Sequence, residues 1–104
     1  MYLFTVFLPL KDNRGRPHPG KLLKRVQAEL TEKFGGITAH TRSPAKGAWK
    51  TKGKTQEDDI LILEVMSEKR FTSWWISYRR TLEARFKQRE VLIRREIVRI
   101  IPSE

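Results

Sequence analysis

Basic residues dominate the parts of this sequence that could do chemistry, and they fall in three separate segments. The first 56 residues hold 12 of the 22 Lys and Arg but only 3 of the 12 Asp and Glu. A surface this lopsided in charge attracts polyanions such as nucleic acid. The three segments contribute, in chain order, Lys11, Arg14, Arg16, Lys21 and Lys24; Lys46, Lys50, Lys52 and Lys54; and Lys87.

One aromatic ring lies inside the second basic segment. Trp49 stands between Lys46 and Lys50, in a tract from 39 to 56 that contains no acidic residue. An aromatic side chain in a basic loop can stack on a nucleic-acid base. A Trp near a hairpin can equally pack against the sheet, because a large exposed apolar ring is unfavourable. The sequence leaves both interpretations of Trp49 open.

No arrangement typical of catalysis or of a cofactor site is present. The absence of Cys excludes a disulfide, a thiolate nucleophile and a Cys-type zinc site. His18 and His40 lack the spacing of metal ligands. Glu57, Asp58 and Asp59 are consecutive, so they cannot all point toward one cation, and they more simply offset the nearby Lys residues. We therefore predict a nonenzymatic protein with no cofactor and no metal site.

The elements that must position these charges follow the order strand, helix, strand, strand, helix, strand. Large β-favouring side chains fill 2–8, and a helical spacing of apolar residues begins at Lys21. The Arg94–Arg95 pair interrupts the last strand and suggests a bulge. The predicted elements are a strand at 2–8, a helix at 21–34, strands at 37–42 and 60–66, a helix that Ser67 caps, and a strand at 91–101.

This order predicts one α+β domain over residues 1–104. It folds most economically as a ferredoxin-like βαββαβ sandwich, a four-stranded antiparallel sheet with both helices on one face. The first and third strands are the most apolar, so we expect them at the centre and the charged strands at the edges. In this topology, residues 11–25, 42–54 and 87–89 meet at one end of the molecule.

The uncovered sheet face is also predicted to be apolar. The central strands are apolar on both sides, so one side of each faces water in a monomer. The two sides of the first strand are Tyr2, Phe4, Val6 and Leu8 against Leu3, Thr5 and Phe7; those of the third are Leu61, Leu63 and Val65 against Ile60, Ile62, Glu64 and Met66. Soluble monomers rarely expose such a patch, so we expect a homodimer that packs sheet on sheet. Alternatively, the C-terminal strand or the long hairpin folds back over this face. No apolar run is long enough to span a membrane, and the expected location is the cytoplasm.

Three short motifs resemble a family of small uncharacterised bacterial α/β domains of unknown function. They are FGGIT at Phe34–Thr38, GAW at Gly47–Trp49, and RFKQREVLI at Arg85–Ile93. The resemblance covers most of the chain after residue 30, although Leu82 stands where that family has Tyr. It implies the same fold and a shared role for Trp49 and Gln88, but no activity.

The leading hypothesis is thus a nucleic-acid or polyanion-binding domain that uses its basic end, with Gln88 beside Lys87 at that end. An alternative is a dimeric α/β-barrel protein that binds or transforms a small molecule. That alternative predicts a pocket between sheet and helices lined by Tyr78, Trp49, Gln88 and Arg85. A third hypothesis is a scaffold for an acidic protein partner.

Overall fold

The computed structural model describes residues 1–42, 50–51, 54–55 and 60–103. The predicted order of four main strands and two helices is confirmed, and a short paired hairpin is added between the second and third main strands. The elements are β1 (Tyr2–Pro9), α1 (Gly20–Phe34), β2 (Thr38–Arg42), β3 (Lys50–Thr51), β4 (Lys54–Thr55), β5 (Ile60–Ser67), α2 (Thr72–Arg85) and β6 (Leu92–Ile97).

The main sheet has the strand order β2-β5-β1-β6, and every neighbouring pair is antiparallel. The two most apolar strands, β1 and β5, lie at its centre, as predicted. Their register places Tyr2 opposite Ser67 at one end of the sheet and Pro9 opposite Ile60 at the other. Arg42 of β2 also pairs with Ile60. The chain therefore leaves β1 and enters β5 at the same end of the sheet.

One hydrophobic core lies between this sheet and both helices. Alternate residues of the central strands face the helices, because successive side chains of a strand point to opposite sides. The buried core residues are Phe4, Val6, Leu8, Val26, Leu30, Leu61, Leu63, Val65, Trp75, Tyr78, Leu82, Phe86 and Val91. Neither helix lies on the opposite sheet face, and this placement together with the strand order confirms the ferredoxin-like α+β fold.

The helix ends are set by left-handed backbone rather than by capping side chains. Gly35, at φ 83°, ends α1 and donates its N–H to the Thr31 carbonyl at 2.7 Å. Phe71, at φ 48°, precedes α2. The prediction that Ser67 caps this helix is wrong, because its hydroxyl instead accepts the Lys69 N–H at 3.1 Å.

The last strand is shorter and more regular than the sequence suggests. β6 pairs with β1 without interruption from Tyr2 opposite Ile97 to Phe7 opposite Leu92, so the predicted bulge at Arg94–Arg95 is wrong. The strand was expected to continue to Ile101, but it ends at Ile97 because β1 offers no partner before Tyr2. Beyond it, one hydrogen bond joins the Val98 N–H to the Met1 carbonyl at 3.0 Å.

Candidate functional site

The loop that follows β1 is a hydrogen-bonded turn that carries basic side chains. The Asp12 carboxylate accepts the N–H groups of Arg14 and Arg16, each at 2.9 Å, and the Arg16 Nε at 3.1 Å. The backbone hydrogen bond from Arg16 makes the largest contribution to lowering the pKa of Asp12. The carboxylate thus partly neutralises Arg16, whereas Lys11 and Arg14 have no carboxylate partner among the described residues.

This loop docks against the residue that follows α2. The His18 N–H bonds the Leu10 carbonyl at 2.8 Å, and the His18 ring meets the Phe86 ring edge-on at 5.1 Å. Immediately afterwards, Lys87 adopts a left-handed conformation at φ 52°. Lys11 of the loop and the half-buried Gln88 line the same open cavity. The first and third basic segments therefore meet, as the topology predicted.

The start of α1 adds two more cations to this end. Lys21 and Lys24 are exposed on the first two turns, and the first turn contains no acidic residue. We call the surface formed by 11–25 and 87–89 the basic end. Acids near it among the described residues include Asp12, which holds the loop, Glu29, whose carboxylate lies 3.6 Å from Arg25 Nε, and Glu90, which lines the cavity with Lys11 and Gln88.

The second basic segment contributes no described side chain to this surface. Lys46, Trp49 and Lys52 lie outside the described residues. The backbones of Lys50 and Lys54 belong to β3 and β4, in which Lys50 pairs with Thr55 and Thr51 pairs with Lys54. The side chains of Lys50 and Lys54 lie outside the described part of the structure. The part that this hairpin plays, and both interpretations of Trp49, stay predictions.

Among the described residues predicted to line a small-molecule pocket, Tyr78 and Gln88 line two different cavities. Tyr78 and Arg85 both bond Glu29 of α1, with the Tyr78 hydroxyl donating at 2.9 Å and Arg85 Nη2 at 3.0 Å. Gln88 faces a different cavity, and Trp49 lies outside the described residues. The hydrogen bonds from Arg85 lower the pKa of Glu29, and burial raises the pKa of Tyr78. These groups form a structural clasp between the two helices.

A groove of about 450 Å³ between α2 and β6 was missed by the sequence analysis. Its described lining combines three guanidinium groups with apolar side chains. The outward positions of Ile76 and Arg80 on the second helix were visible in the sequence, but the regular pairing that adds Arg95 was not. The lining residues are Phe4, Thr72, Trp75, Ile76, Arg79, Arg80, Glu83, Ile93 and Arg95.

Several apolar residues of the central strands lie on the open sheet face, partly covered by charged neighbours. The Arg94 guanidinium lies over the Phe7 ring at 5.2 Å. Ile62 on this face is 6% exposed. Met66 and Leu92, in contrast, expose more than half of their surface. The face is thus an apolar strip flanked by ionic side chains.

Comparison with known proteins supports the fold without adding a family. No protein-family model matches the sequence, and no curated protein matches it significantly. A phage SAM lyase in complex with S-methyl-5'-thioadenosine is similar in structure, with a TM-score of 0.62 and 12% identity over 91% of this chain and 79% of that chain. CutA1 from Pyrococcus horikoshii has a TM-score of 0.58 and 13% identity over 100% and 89% of the two chains.

No helix in the described ranges is long and apolar enough to cross a bilayer. In the same ranges, no three His, Asp or Glu side chains come together as ligands of a metal would. The acidic cluster at 57–59 lies outside them.

Proposed function

We propose that this protein binds polyanions, foremost the phosphate backbone of nucleic acid, through its basic end. The observation that carries the proposal is the docking of His18 on Phe86, because it brings the loop after β1 beside the residues that follow α2. Cations from separate parts of the chain then act on one ligand. Most of them are exposed and lack a carboxylate partner among the described residues.

The chemistry of this surface favours charge over base recognition. Lys and Arg that neutralise phosphates release condensed counterions, and this release supplies most of the free energy of binding without sequence preference. The described part of the basic end offers ammonium and guanidinium groups, with Gln88 as the only uncharged side chain predicted to contribute. Binding is therefore expected to depend steeply on salt and weakly on sequence.

The first test removes two charges from separate segments of the basic end. Lys11→Gln combined with Lys87→Gln should weaken binding to a short oligonucleotide at low salt. The slope of log affinity against log salt should become shallower by about 2, one unit for each lost phosphate contact. Fluorescence anisotropy over a salt series, with RNA, single-stranded DNA and duplex DNA, measures both quantities.

A matched control removes the same charge from the opposite end. Lys69 follows β5, and Arg99 lies just beyond the Val98–Met1 hydrogen bond, so Lys69→Gln combined with Arg99→Gln changes the net charge equally. We expect this variant to keep the salt slope of the native protein. Equal slopes for the two variants, or no binding of any oligonucleotide at low salt, would overturn the proposal.

The open sheet face is the surface through which two copies associate in this proposal. Exposed Leu92 lies opposite the half-buried Phe7, and exposed Met66 lies opposite Leu3 on the same face. Apolar patches on a sheet commonly mark a subunit contact. A two-fold pairing would bring the same strip from each copy together. It would also place two basic ends on one particle, which strengthens binding to a long polyanion.

The expected mass in solution is twice the 12.3 kDa of one chain. Leu92→Lys puts a charge into the proposed contact and should shift the mass to that of one chain at micromolar concentration. Ile76→Lys makes the same exchange on α2, where the side chain is 53% exposed, and should leave the mass unchanged. Light scattering measures both. A native protein with the mass of one chain would contradict the pairing.

A second candidate function is the binding of a small molecule. It is favoured by the groove between α2 and β6, which is lined by three guanidinium groups and by apolar side chains. The structurally similar phage SAM lyase holds S-methyl-5'-thioadenosine. At 12% identity this likeness concerns the fold, so the ligand class must come from the groove itself.

A further inference from the structure

We infer that the groove between α2 and β6 binds an aromatic phosphomonoester, a planar ring that carries one phosphate group. The inference builds on the second candidate function above and adds the ligand class and the residues that recognise it. It is independent of polyanion binding at the basic end, because none of the groove residues belongs to 11–25 or 87–89.

The charged wall of the groove matches a dianion. Arg79, Arg80 and Arg95 line it together with a single described carboxylate, Glu83. Glu83 is already engaged, since its Oε2 accepts Arg79 Nε at 3.2 Å and the Val91 N–H at 3.0 Å. Two positive charges remain in excess, and a phosphomonoester carries close to two negative charges at neutral pH. Guanidinium groups also fit the oxygens of a phosphate in pairs.

Arg95 is held ready for such a contact. Its Nη1 donates to the Thr72 hydroxyl at 2.9 Å, which fixes the guanidinium at the start of α2. The remaining donors of the same group stay available for an anion. Arg80 has no carboxylate partner among the described residues, so its binding to a ligand would break no ion pair that the structure shows.

The other wall of the groove matches a ring. Phe4 and Trp75 stack on each other at 4.8 Å, and Ile93 and Ile76 extend the apolar surface outward. Phe4 and Trp75 are 2% and 6% exposed and form the floor of the groove, whereas Ile76, which is 53% exposed, offers apolar surface that a ring can cover.

The size of the groove fits one small molecule. Its volume of about 450 Å³ lies within the usual span of small-molecule sites, about 300–1,000 Å³. Because the groove combines guanidinium groups with apolar side chains, both the phosphate group and the ring of the ligand are expected to contribute to binding. A neutral ring would leave the two excess positive charges of the groove without a counter-charge, and inorganic phosphate would leave the apolar side chains without a ligand contact.

The test uses 1-naphthyl phosphate, with 1-naphthol and inorganic phosphate as the two half-ligands. Titrations followed by the indole N–H resonances in 15N NMR spectra report on Trp75 directly, and Trp75→Phe assigns its signal among the three Trp. We expect 1-naphthyl phosphate to shift the Trp75 signal and to bind about tenfold or more tightly than either half-ligand, because both walls then contribute.

Variants of the charged wall identify the groups that bind the phosphate. Arg80→Gln and Arg95→Gln should each weaken binding of 1-naphthyl phosphate about tenfold, the factor expected from loss of one charge-assisted hydrogen bond. Lys24→Gln on α1 removes the same charge outside the groove and should have no effect. Equal binding of 1-naphthol, equal binding of inorganic phosphate, or unchanged affinity in both Arg variants would overturn the inference.

The two proposals are distinguished by testing the variants of each site with the ligand of the other site. Lys11→Gln combined with Lys87→Gln should retain full affinity for 1-naphthyl phosphate, and Arg80→Gln should retain nearly full affinity for an oligonucleotide. Loss of oligonucleotide binding in Arg80→Gln, together with a shift of the Trp75 signal by the oligonucleotide, would show that the groove belongs to the polyanion surface. That result would overturn the inference of a small-molecule site and leave polyanion binding standing.

Discussion

Replacing Phe86 by alanine is expected to lower the free energy of unfolding by about 3–5 kcal/mol, the usual cost of deleting a buried aromatic ring. Phe86 is completely buried, and its N–H still bonds the Leu82 carbonyl at 2.9 Å just after α2 ends. The His18 ring packs edge-on against the Phe86 ring, so the substitution also removes the contact that holds the loop after β1. Urea denaturation measures the loss of stability.

The effect on the loop is separated from the loss of stability by a second cavity variant. Leu30→Ala deletes a fully buried side chain from α1 at about 2–5 kcal/mol. We expect faster amide hydrogen exchange for residues 11–18 in Phe86→Ala than in Leu30→Ala under conditions of equal overall stability. Phe86→Leu keeps most of the volume and serves if the alanine variant does not fold. A loss below about 1 kcal/mol in Phe86→Ala, or equal exchange of the loop in both cavity variants, would mean that Phe86 does not anchor it.

The architecture was predictable because the hydrophobic period changes clearly along the chain. The apolar character of β1 and β5 was enough to place both strands at the centre of the sheet. The helical spacing of apolar residues after Lys21 likewise predicted α1, whose buried residues are Val26 and Leu30. The meeting of the loop after β1 with the residues that follow α2 came directly from this topology.

The local errors arise where tertiary contacts override a local preference. Arg95 occupies a position on the helix side of the sheet, where an apolar residue was expected, and the sequence therefore suggested a bulge. In the structure Arg95 lies beside Thr72, where α2 begins, at an edge of the sheet that is open to water. The charged side chain is accommodated there, so the strand keeps its regular register. Pairing with β1 is what ends β6 at Ile97, and no local signal in an isoleucine-rich tract reveals where a partner strand begins.

The site was less predictable than the fold because it depends on side-chain partners. Asp12 was counted among the charges of a loop, but its hydrogen bonds to Arg14 and Arg16 make it the residue that shapes that loop. Tyr78 and Arg85 were expected to line a pocket, and their shared partner, Glu29, is 49 and 56 residues away in the chain. The resemblance carried by Phe34–Thr38, Gly47–Trp49 and Arg85–Ile93 stays a prediction.

Glu29→Gln is expected to lower the free energy of unfolding at neutral pH by about 2 kcal/mol. The substitution leaves the Arg85 guanidinium, 10% exposed, without its carboxylate. Removing one partner of a fully buried ion pair costs about 3–5 kcal/mol. The Glu29 side chain keeps a third of its surface in water, which reduces that cost. Glu32→Gln, an exposed acid on the same helix, should change stability by less than about 0.5 kcal/mol.

The pH dependence follows from the direction of each pKa shift. Because Arg85 lowers the pKa of Glu29 below its value of 4.5 in an unfolded chain, the stabilisation is present at neutral pH and is lost as pH falls through the folded pKa. The pKa of Tyr78 is raised above 10 by burial, so its contribution is present at neutral pH and is lost as pH rises above 10. Urea denaturation across pH should show a flatter acid limb in Glu29→Gln than in Glu32→Gln. Identical acid limbs would contradict the role of the clasp.

The same variant also distinguishes stability from binding. Glu29 joins α1, which carries Lys21 and Lys24, to the end of α2, from which Lys87 follows. Glu29→Gln weakens that junction but raises the net charge by one. If phosphate contacts act through charge as proposed, the folded variant should bind an oligonucleotide at least as tightly as the native protein at low salt, despite its lower stability. Weaker binding by the folded variant would mean that the relative placement of the helices determines affinity more than their charge does. The protein would then recognise a ligand of fixed geometry, and the proposal of nonspecific binding to the phosphate backbone would be wrong.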